Sequence, residues 1–264
     1  MTRTILLTGA TDGIGRATAH ALVSAGHRVL LHGRSADKLA RVEAELAHLP
    51  GQTETFRADL SRLSEVDALA DAIHARDGQL DVLINNAGIF RTAHTRAEDG
   101  RDIRWVVNTV APYRLTQRLL ELLGPSGRVV NLSSAAQSPI DYDAMMGRTH
   151  AADFSAYAQS KLAITAWSRA LGQALGADGP MVVSVNPGSM LGSKMVKDAF
   201  GVAGRDLNVG AHILVRAALS DEFASATGMY FDNDAGQFGP PHPHVLDARR
   251  TARLMEVLDG SSVG

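Results

Sequence analysis

Thr4-Ile5-Leu6-Leu7-Thr8-Gly9-Ala10-Thr11-Asp12-Gly13-Ile14-Gly15 is the stretch on which the reading of this chain turns. Thr4 to Thr8 is a short apolar run, as in strands buried on both faces. Gly9, Gly13 and Gly15 follow with the spacing G-x-x-x-G-x-G. A helical stripe then runs through Ile14, Ala17, Ala21, Leu22 and Ala25 until Gly26 stops it. Strand, glycine turn and helix in that order form the context of a phosphate-binding loop. The glycines permit a tight turn and a close backbone approach, and the helix start offers free N–H groups and partial positive charge. Gly9, Thr11, Asp12, Gly13, Ile14 and Gly15 are therefore the first candidate cofactor contacts.

Outward from this unit, strand-like and helix-like stretches alternate. Arg28–His32 reads as the second strand, followed by a helix over Lys38–Leu49; Thr53–Ala58 is the third, followed by a helix over Leu63–Ala75. Leu80–Ile84 is the fourth strand, Gly100–Leu123 a long helix, Gly127–Leu132 the fifth strand, and the apolar run Leu162–Leu175 another helix. Met181–Asn186, a helix over Leu207–Leu219 and a last strand at Gly228–Phe231 complete the series. This alternation predicts an α/β fold: a single Rossmann-type doubly wound domain with a seven-stranded parallel sheet flanked by helices. Ligands in such sheets bind at the carboxyl ends of the strands, where Asp59, Leu60, Asn86, Ala87 and Gly88 fall. The domain is expected to span residues 1–239 and to carry its own substrate site. Residues 240–264 would be a rigid Gly239–His244 linker and a C-terminal tail helix over Val245–Leu258.

With 264 residues, 45% apolar and 20% charged, the composition is that of an ordinary globular protein. A net charge of −2 with mixed signs gives no reason to expect nucleic acid or a membrane surface as a partner. The absence of cysteine excludes disulfides and thiolate chemistry, and His242 and His244 lack a third ligand, so no metal is expected. No signal peptide and no apolar run of about 20 residues is seen, so the expectation is a soluble cytoplasmic protein.

Arg34 stands where many nucleotide sites place an acid for a ribose 2′-hydroxyl, and Lys38 follows a turn later. A guanidinium suits a 2′-phosphate, so NADP(H) is favoured, with NAD(H) as the alternative; Asp12 counts slightly against a second phosphate nearby. Tyr157 and Lys161 lie one helical turn apart on one face, and a nearby ammonium lowers the pKa of a phenol toward a range useful for proton transfer.

Thr8–Gly15, Asn85-Asn86-Ala87-Gly88, the Asn108 segment, Asn131-Leu132-Ser133-Ser134, Tyr157-x-x-x-Lys161 and Asn186-Pro187-Gly188 occur in one order over about residues 4–232. In this the chain resembles the short-chain dehydrogenase/reductase family. Its long segment between Ser134 and Tyr157, together with Gly228-Met229-Tyr230-Phe231, is most similar to the retinol-dehydrogenase-like branch, although the membrane anchor of many relatives is absent. The resemblance implies a catalytic set of Asn108, Ser134, Tyr157 and Lys161. In it Asn108 holds a proton-relaying water, Ser134 rather than Ser133 polarises a carbonyl, and Tyr157 transfers the proton. Lys161 contacts the nicotinamide ribose, Pro187 and Gly188 line the cofactor, and Ser193 is the candidate for its carboxamide. The implied activity is NADP(H)-dependent hydride transfer between nicotinamide and a carbonyl or secondary alcohol of a small-to-medium organic substrate. Cofactor-recycling epimerase or dehydratase chemistry and a non-catalytic NADP-sensing module are the rival readings. Ile89–Thr95, Ala135–Phe154 and Ser189–Val202 are the expected substrate walls. Lys194–Gly204 reads either as a mobile lid or as a small packed helix, and pairing through the two long helices would give a homodimer or homotetramer.

Overall fold

A computed structural model of the chain describes residues 1–76, 78–192, 197 and 201–262. Strands β1 (Thr4–Leu7), β2 (Arg28–Gly33), β3 (Gln52–Arg57), β4 (Val82–Asn85), β5 (Arg128–Leu132), β6 (Met181–Asn186), β7 (Tyr230–Asp232) and β8 (Gln237–Gly239) form one sheet. Their order is β3-β2-β1-β4-β5-β6-β7-β8. The first seven run parallel, as expected, and β8 is antiparallel to β7. The eighth strand is invisible to periodicity because it has three residues, one of them apolar; that residue, Phe238, closes an aromatic cluster with Phe223 and Phe231 at 5.1 and 5.0 Å.

The flanking helices are α1 (Gly13–Ser24), α2 (Ala36–Leu46), α3 (Leu63–Arg76), α4 (Ile103–Trp105), α5 (Ala111–Leu123), α6 (Tyr142–Met145), α7 (Asp153–Leu175), α8 (Leu207–Leu219), α9 (Pro243–Leu246) and α10 (Ala248–Ser262). Side chains alternate across the sheet. Ile5, Leu7, Val29 and Leu31 therefore pack with Leu22, Val42 and Ile213 from α1, α2 and α8. Leu6, Leu83, Val129 and Val182 pack with Leu69, Leu119 and Trp167 from α3, α5 and α7. After β3 the chain crosses to the other side of β1 and enters β4. The sheet thus opens a crevice at the carboxyl ends of β1 and β4.

The expected helix over 100–123 is interrupted. Val106–Val110 is a π-helical turn between α4 and α5. Pro112 has no N–H to give the Asn108 carbonyl four residues back, and the Ala111 N–H bonds the Val106 oxygen instead. The expected linker also differs: it ends in α9, whose first residue, Pro243, sits where a missing N–H does least harm. The tail helix α10 lays Leu254 and Leu258 into the α5–α7 side of the core, and Asp259 accepts a hydrogen bond from Tyr113 at 2.5 Å. No helix among the described residues is long and apolar enough to cross a membrane.

Candidate active site

The turn after β1 has the shape its glycines allow. Gly9 and Gly13 hold φ of +68° and +51°, a region costly for other residues. Gly15 is required for space: a Cβ there would lie 2.1 Å from the Gly9 carbonyl oxygen. Asp12 caps α1 by accepting the Gly13 N–H at 2.9 Å. From below, the Thr8 hydroxyl accepts the N–H groups of Asn86 and Ala87, both at 3.0 Å. The Asn86 amide donates to the carbonyls of Thr8 and Gly9 at 2.8 and 3.2 Å. The side chain of Asn86 is therefore engaged beneath the loop, while Ala87 and Gly88 line the cleft.

His32 supports the same turn and was not singled out from sequence. The Gly9 N–H donates to its Nδ1 at 3.3 Å, so that nitrogen must be the acceptor, and Nε2–H donates to the Ala58 carbonyl at 3.0 Å. One neutral tautomer thereby joins the ends of β1, β2 and β3. Burial is the largest influence on His32 and depresses its pKa from 6.5 to about 4. Unfolded chains take up this proton first as pH falls, so the folded state should lose roughly 3 kcal/mol between pH 6.5 and about 4 and keep its full margin above 6.5. Urea midpoints across that range should show the loss, and His32→Gln should flatten it. A slope unchanged in the variant would assign the loss to other groups.

At the far rim, Lys38 pairs with Asp12 at 3.1 Å. Arg34 is exposed, lines the cleft and makes no hydrogen bond or ion pair among the described residues. The single acid that weighed against phosphate is thus matched by Lys38, and Arg34 is left available. Asp59 accepts from the N–H and hydroxyl of Ser61 at 2.9 and 2.8 Å, and Leu60 lies beside it in the cleft wall.

At the inner end, Ser134 follows β5 and Tyr157 lies in the second turn of α7. Both side chains line the inner end of the cleft, with the Ser134 hydroxyl placed to favour the Tyr157 phenolate. Ser133, by contrast, is buried against α7, bonded to Thr165 at 2.6 Å and to the Lys161 carbonyl at 3.2 Å. Lys161 Nζ stands 5.7 Å from the Tyr157 ring centre and donates to the Leu132 carbonyl at 2.7 Å. Burial pushes the Tyr157 phenol above its ordinary pKa; the Ser134 hydrogen bond opposes this without overcoming it. Burial lowers Lys161 to about 8. Burial thus sets the direction for Tyr157, opposite to the expected lowering by its lysine, whose ammonium is bonded to the Leu132 carbonyl.

The Asn108 side chain is fully engaged. Its Oδ1 accepts the Ile89 N–H at 2.8 Å, and its Nδ2 donates to the Ile89 carbonyl at 2.9 Å and the Ser160 hydroxyl at 3.0 Å. A side chain so engaged is a brace between the β4 loop and α7. A second brace is Arg104, fully buried, which forks onto Asp102 at 2.9 and 2.6 Å and bonds Asp153, the first residue of α7.

One cleft of about 1020 Å³ contains the glycine turn, Arg34, Asp59, Gly88, Ser134, Tyr157, Lys161, Pro187 and Gly188. Ser193 lies outside the described residues, as does most of Lys194–Gly204. Of the long segment between Ser134 and Tyr157, only the ends, Ala135, Ala136 and Phe154, wall the cleft. Its middle forms α6, where Met145 is buried and Tyr142 lies 4.5 Å under the Arg253 guanidinium of the tail helix. Phe90 stands edge-on to Tyr157 at 5.0 Å and to Phe154 at 6.3 Å.

The sequence profile of the short chain dehydrogenase family matches residues 3–201. Retinol dehydrogenase 13 of Homo sapiens is 31% identical over 96% of this chain and 82% of its own length. The crystal structure of the angucycline C-6 ketoreductase LanV with bound NADP has a TM-score of 0.71 and 28% identity, covering 88% of this chain and 93% of that one. The Pseudomonas aeruginosa RhlG/NADP active-site complex has a TM-score of 0.72 at 26% identity, covering 89% and 95%. The glycine turn, the Tyr157–Lys161 pair and these likenesses lead to one conclusion: the chain belongs to the short-chain dehydrogenase/reductase family of oxidoreductases, in its retinol-dehydrogenase-like branch.

Proposed function

We propose that the protein is an NADP(H)-dependent oxidoreductase that interconverts an apolar ketone or aldehyde and its alcohol through Ser134, Tyr157 and Lys161, with Asn108 as their brace. The observation that carries this reading is that one cleft joins the glycine turn to the Ser134–Tyr157 hydroxyl pair. The residues fit the cofactor: Gly9 and Gly15, where a Cβ would collide with the turn and the Asn86–Ala87 loop, keep the backbone tight at the start of α1, and an unengaged Arg34 at the rim suits a 2′-phosphate. When bound, the reduced nicotinamide supplies a hydride, and the oxidised form accepts one.

Tyr157 donates its hydroxyl proton to the carbonyl oxygen in the reductive direction and takes it back in the other. A pKa raised by burial keeps the phenol protonated at neutral pH, the form that reduction needs. Ser134 donates to the same oxygen as negative charge develops there. Lys161 uses one of its three donors on Leu132; the others would hold the cofactor ribose, and its positive charge would stabilise the phenolate left behind. Phe90, Val107, Phe154 and Leu191 give the substrate side an apolar, partly aromatic surface, which favours flat hydrophobic carbonyl compounds over sugars.

Loss of NADPH absorbance across a panel of carbonyls tests the reading. Turnover is expected with aryl and polyene ketones or aldehydes, and little with sugars. Arg34→Asp should weaken NADPH about 10- to 100-fold while leaving NADH nearly unchanged. A wild-type chain that neither binds NADPH nor consumes it with any member of the panel would overturn the proposal.

A further inference from the structure

β8 exists to close a hairpin, and the turn of that hairpin, Asn233–Gly236, reaches back over the end of β6. There the chain leaves the sheet through Asn186-Pro187-Gly188-Ser189-Met190, all of which line the cleft. Two residues of this exit have positive φ, and only one of them is a glycine. Gly188 has φ of +116°, and Met190, at +53°, is the non-glycine residue with positive φ among the described residues. A left-handed methionine costs roughly 1–2 kcal/mol, and such a conformation persists only where its surroundings over-determine it.

The surroundings converge on one carboxylate. Asp234 accepts the Ser189 N–H at 2.9 Å and the Ser189 hydroxyl at 2.5 Å. The Asn186 amide donates to it at 3.0 Å and the Arg205 guanidinium at 3.4 Å. Burial alone would raise the pKa of this carboxyl, but the bonds from Ser189, Asn186 and Arg205 hold it below the usual range. Its neighbours complete the grip. Asn233 donates to the Pro187 carbonyl at 2.9 Å, and the Arg205 N–H bonds the Met190 carbonyl at 2.7 Å. The segment also adjoins the proton-transfer end of the cleft: the Ser133 N–H bonds the Val185 carbonyl at 2.8 Å, and the Tyr230 hydroxyl bonds the Ser134 carbonyl at 3.3 Å.

We propose that Asp234 is a positioning residue: from the β7–β8 turn it fixes the Pro187–Met190 backbone as the wall against which the nicotinamide half of the cofactor is placed. This rests on the NADP(H) reading above. It makes a specific demand, because the glycine turn and Arg34, which would receive the other half of the cofactor, follow β1 and β2 and are not among the hydrogen-bond partners of Asp234.

The experiment compares the full-length wild type with Asp234→Ala and Asp234→Asn. It measures affinity for NADPH, affinity for the fragment adenosine 2′,5′-bisphosphate, kcat on an accepted carbonyl, and the melting temperature. For Asp234→Ala, fragment affinity should stay within about twofold, since the bonds of Asp234 go to Ser189, Asn186 and Arg205 and none goes to the glycine turn or Arg34. NADPH affinity should fall about tenfold and kcat about 10²-fold, as expected of a reacting group displaced by an ångström. Asp234→Asn should lie between, because one amide oxygen can still accept the Ser189 N–H; it also serves if the alanine variant does not fold. Equal losses for fragment and NADPH would reduce Asp234 to general scaffolding and overturn the inference, as would unchanged NADPH affinity and kcat. A wild type that binds the fragment but not NADPH would instead refute the cofactor reading on which the inference stands.

Discussion

Tyr157→Phe is expected to lower kcat about 10³-fold while NADPH affinity and melting temperature stay close to wild type. The substitution removes one oxygen from a ring otherwise fixed by its packing against Phe90 at 5.0 Å. Ser134 keeps the Ala136 N–H at 3.1 Å, so no buried polar atom is orphaned by the change. Lys161 keeps its bond to Leu132 and its contact with the ring face. What is lost is the proton, and a neutral phenol is the group in this cleft positioned to give one. Steady-state kinetics with NADPH titrated by fluorescence separate the two effects. A variant that turns over at near wild-type rates would mean that the proton comes from elsewhere, and the assignment of Ser134 and Lys161 would fall with it.

Gly15→Ala should cost about 2–3 kcal/mol of stability and most of the NADPH affinity. The added methyl would lie 2.1 Å from the Gly9 oxygen and 2.5 Å from Asn86 Nδ2, and 2.9 Å from the Gly9 carbonyl carbon. Two of these three are backbone atoms of the turn itself, so relief requires the turn to open. Opening it breaks the Asn86 bonds to Thr8 and Gly9 and strains the Gly9–His32 contact. The melting temperature should fall by several degrees, at about 2–4 °C per kcal/mol for a chain of this size. Gly26→Ala makes a useful control, since nothing lies within 4 Å of its added methyl and only its φ of +83° resists the change. Unimpaired NADPH binding by Gly15→Ala would mean that the turn does not cradle the phosphates.

The parts of the fold legible in the sequence were those written in long or repeated signals. β6, buried along its whole length, and α8, with its amphipathic face, have the predicted boundaries. The glycines of the first turn were legible because each has a steric reason that is local to the chain. β8 was not, since three residues carry no period and its role is set by contact with Phe223 and Phe231. Asp234 and His32 were missed for the same reason: their partners lie 45 and 23 residues away, and only the closed sheet brings them together. His32 did leave a trace, as a polar residue ending the apolar run Val29-Leu30-Leu31. Asn108 was legible, but its bonds to Ile89 and Ser160 were not, because spacing locates a residue without showing which groups its amide meets. The phenol's shift has the opposite sign to expectation because burial, a property of the whole fold, is its largest influence.

The sheet also ends inhospitably on both sides. At one border β8 presents three residues and then Pro240 and Pro241, neither of which has an N–H to offer. At the other, β3 places Glu54 in ion pairs with Arg28 at 2.9 Å and Arg76 at 2.7 Å, so an approaching backbone meets charge before it meets hydrogen-bonding groups. Seven parallel strands would otherwise be a template for adding more. A short proline-ended lip and a charged rim leave little for a foreign strand to join, which should keep concentrated solutions of the folded protein free of fibrillar self-association.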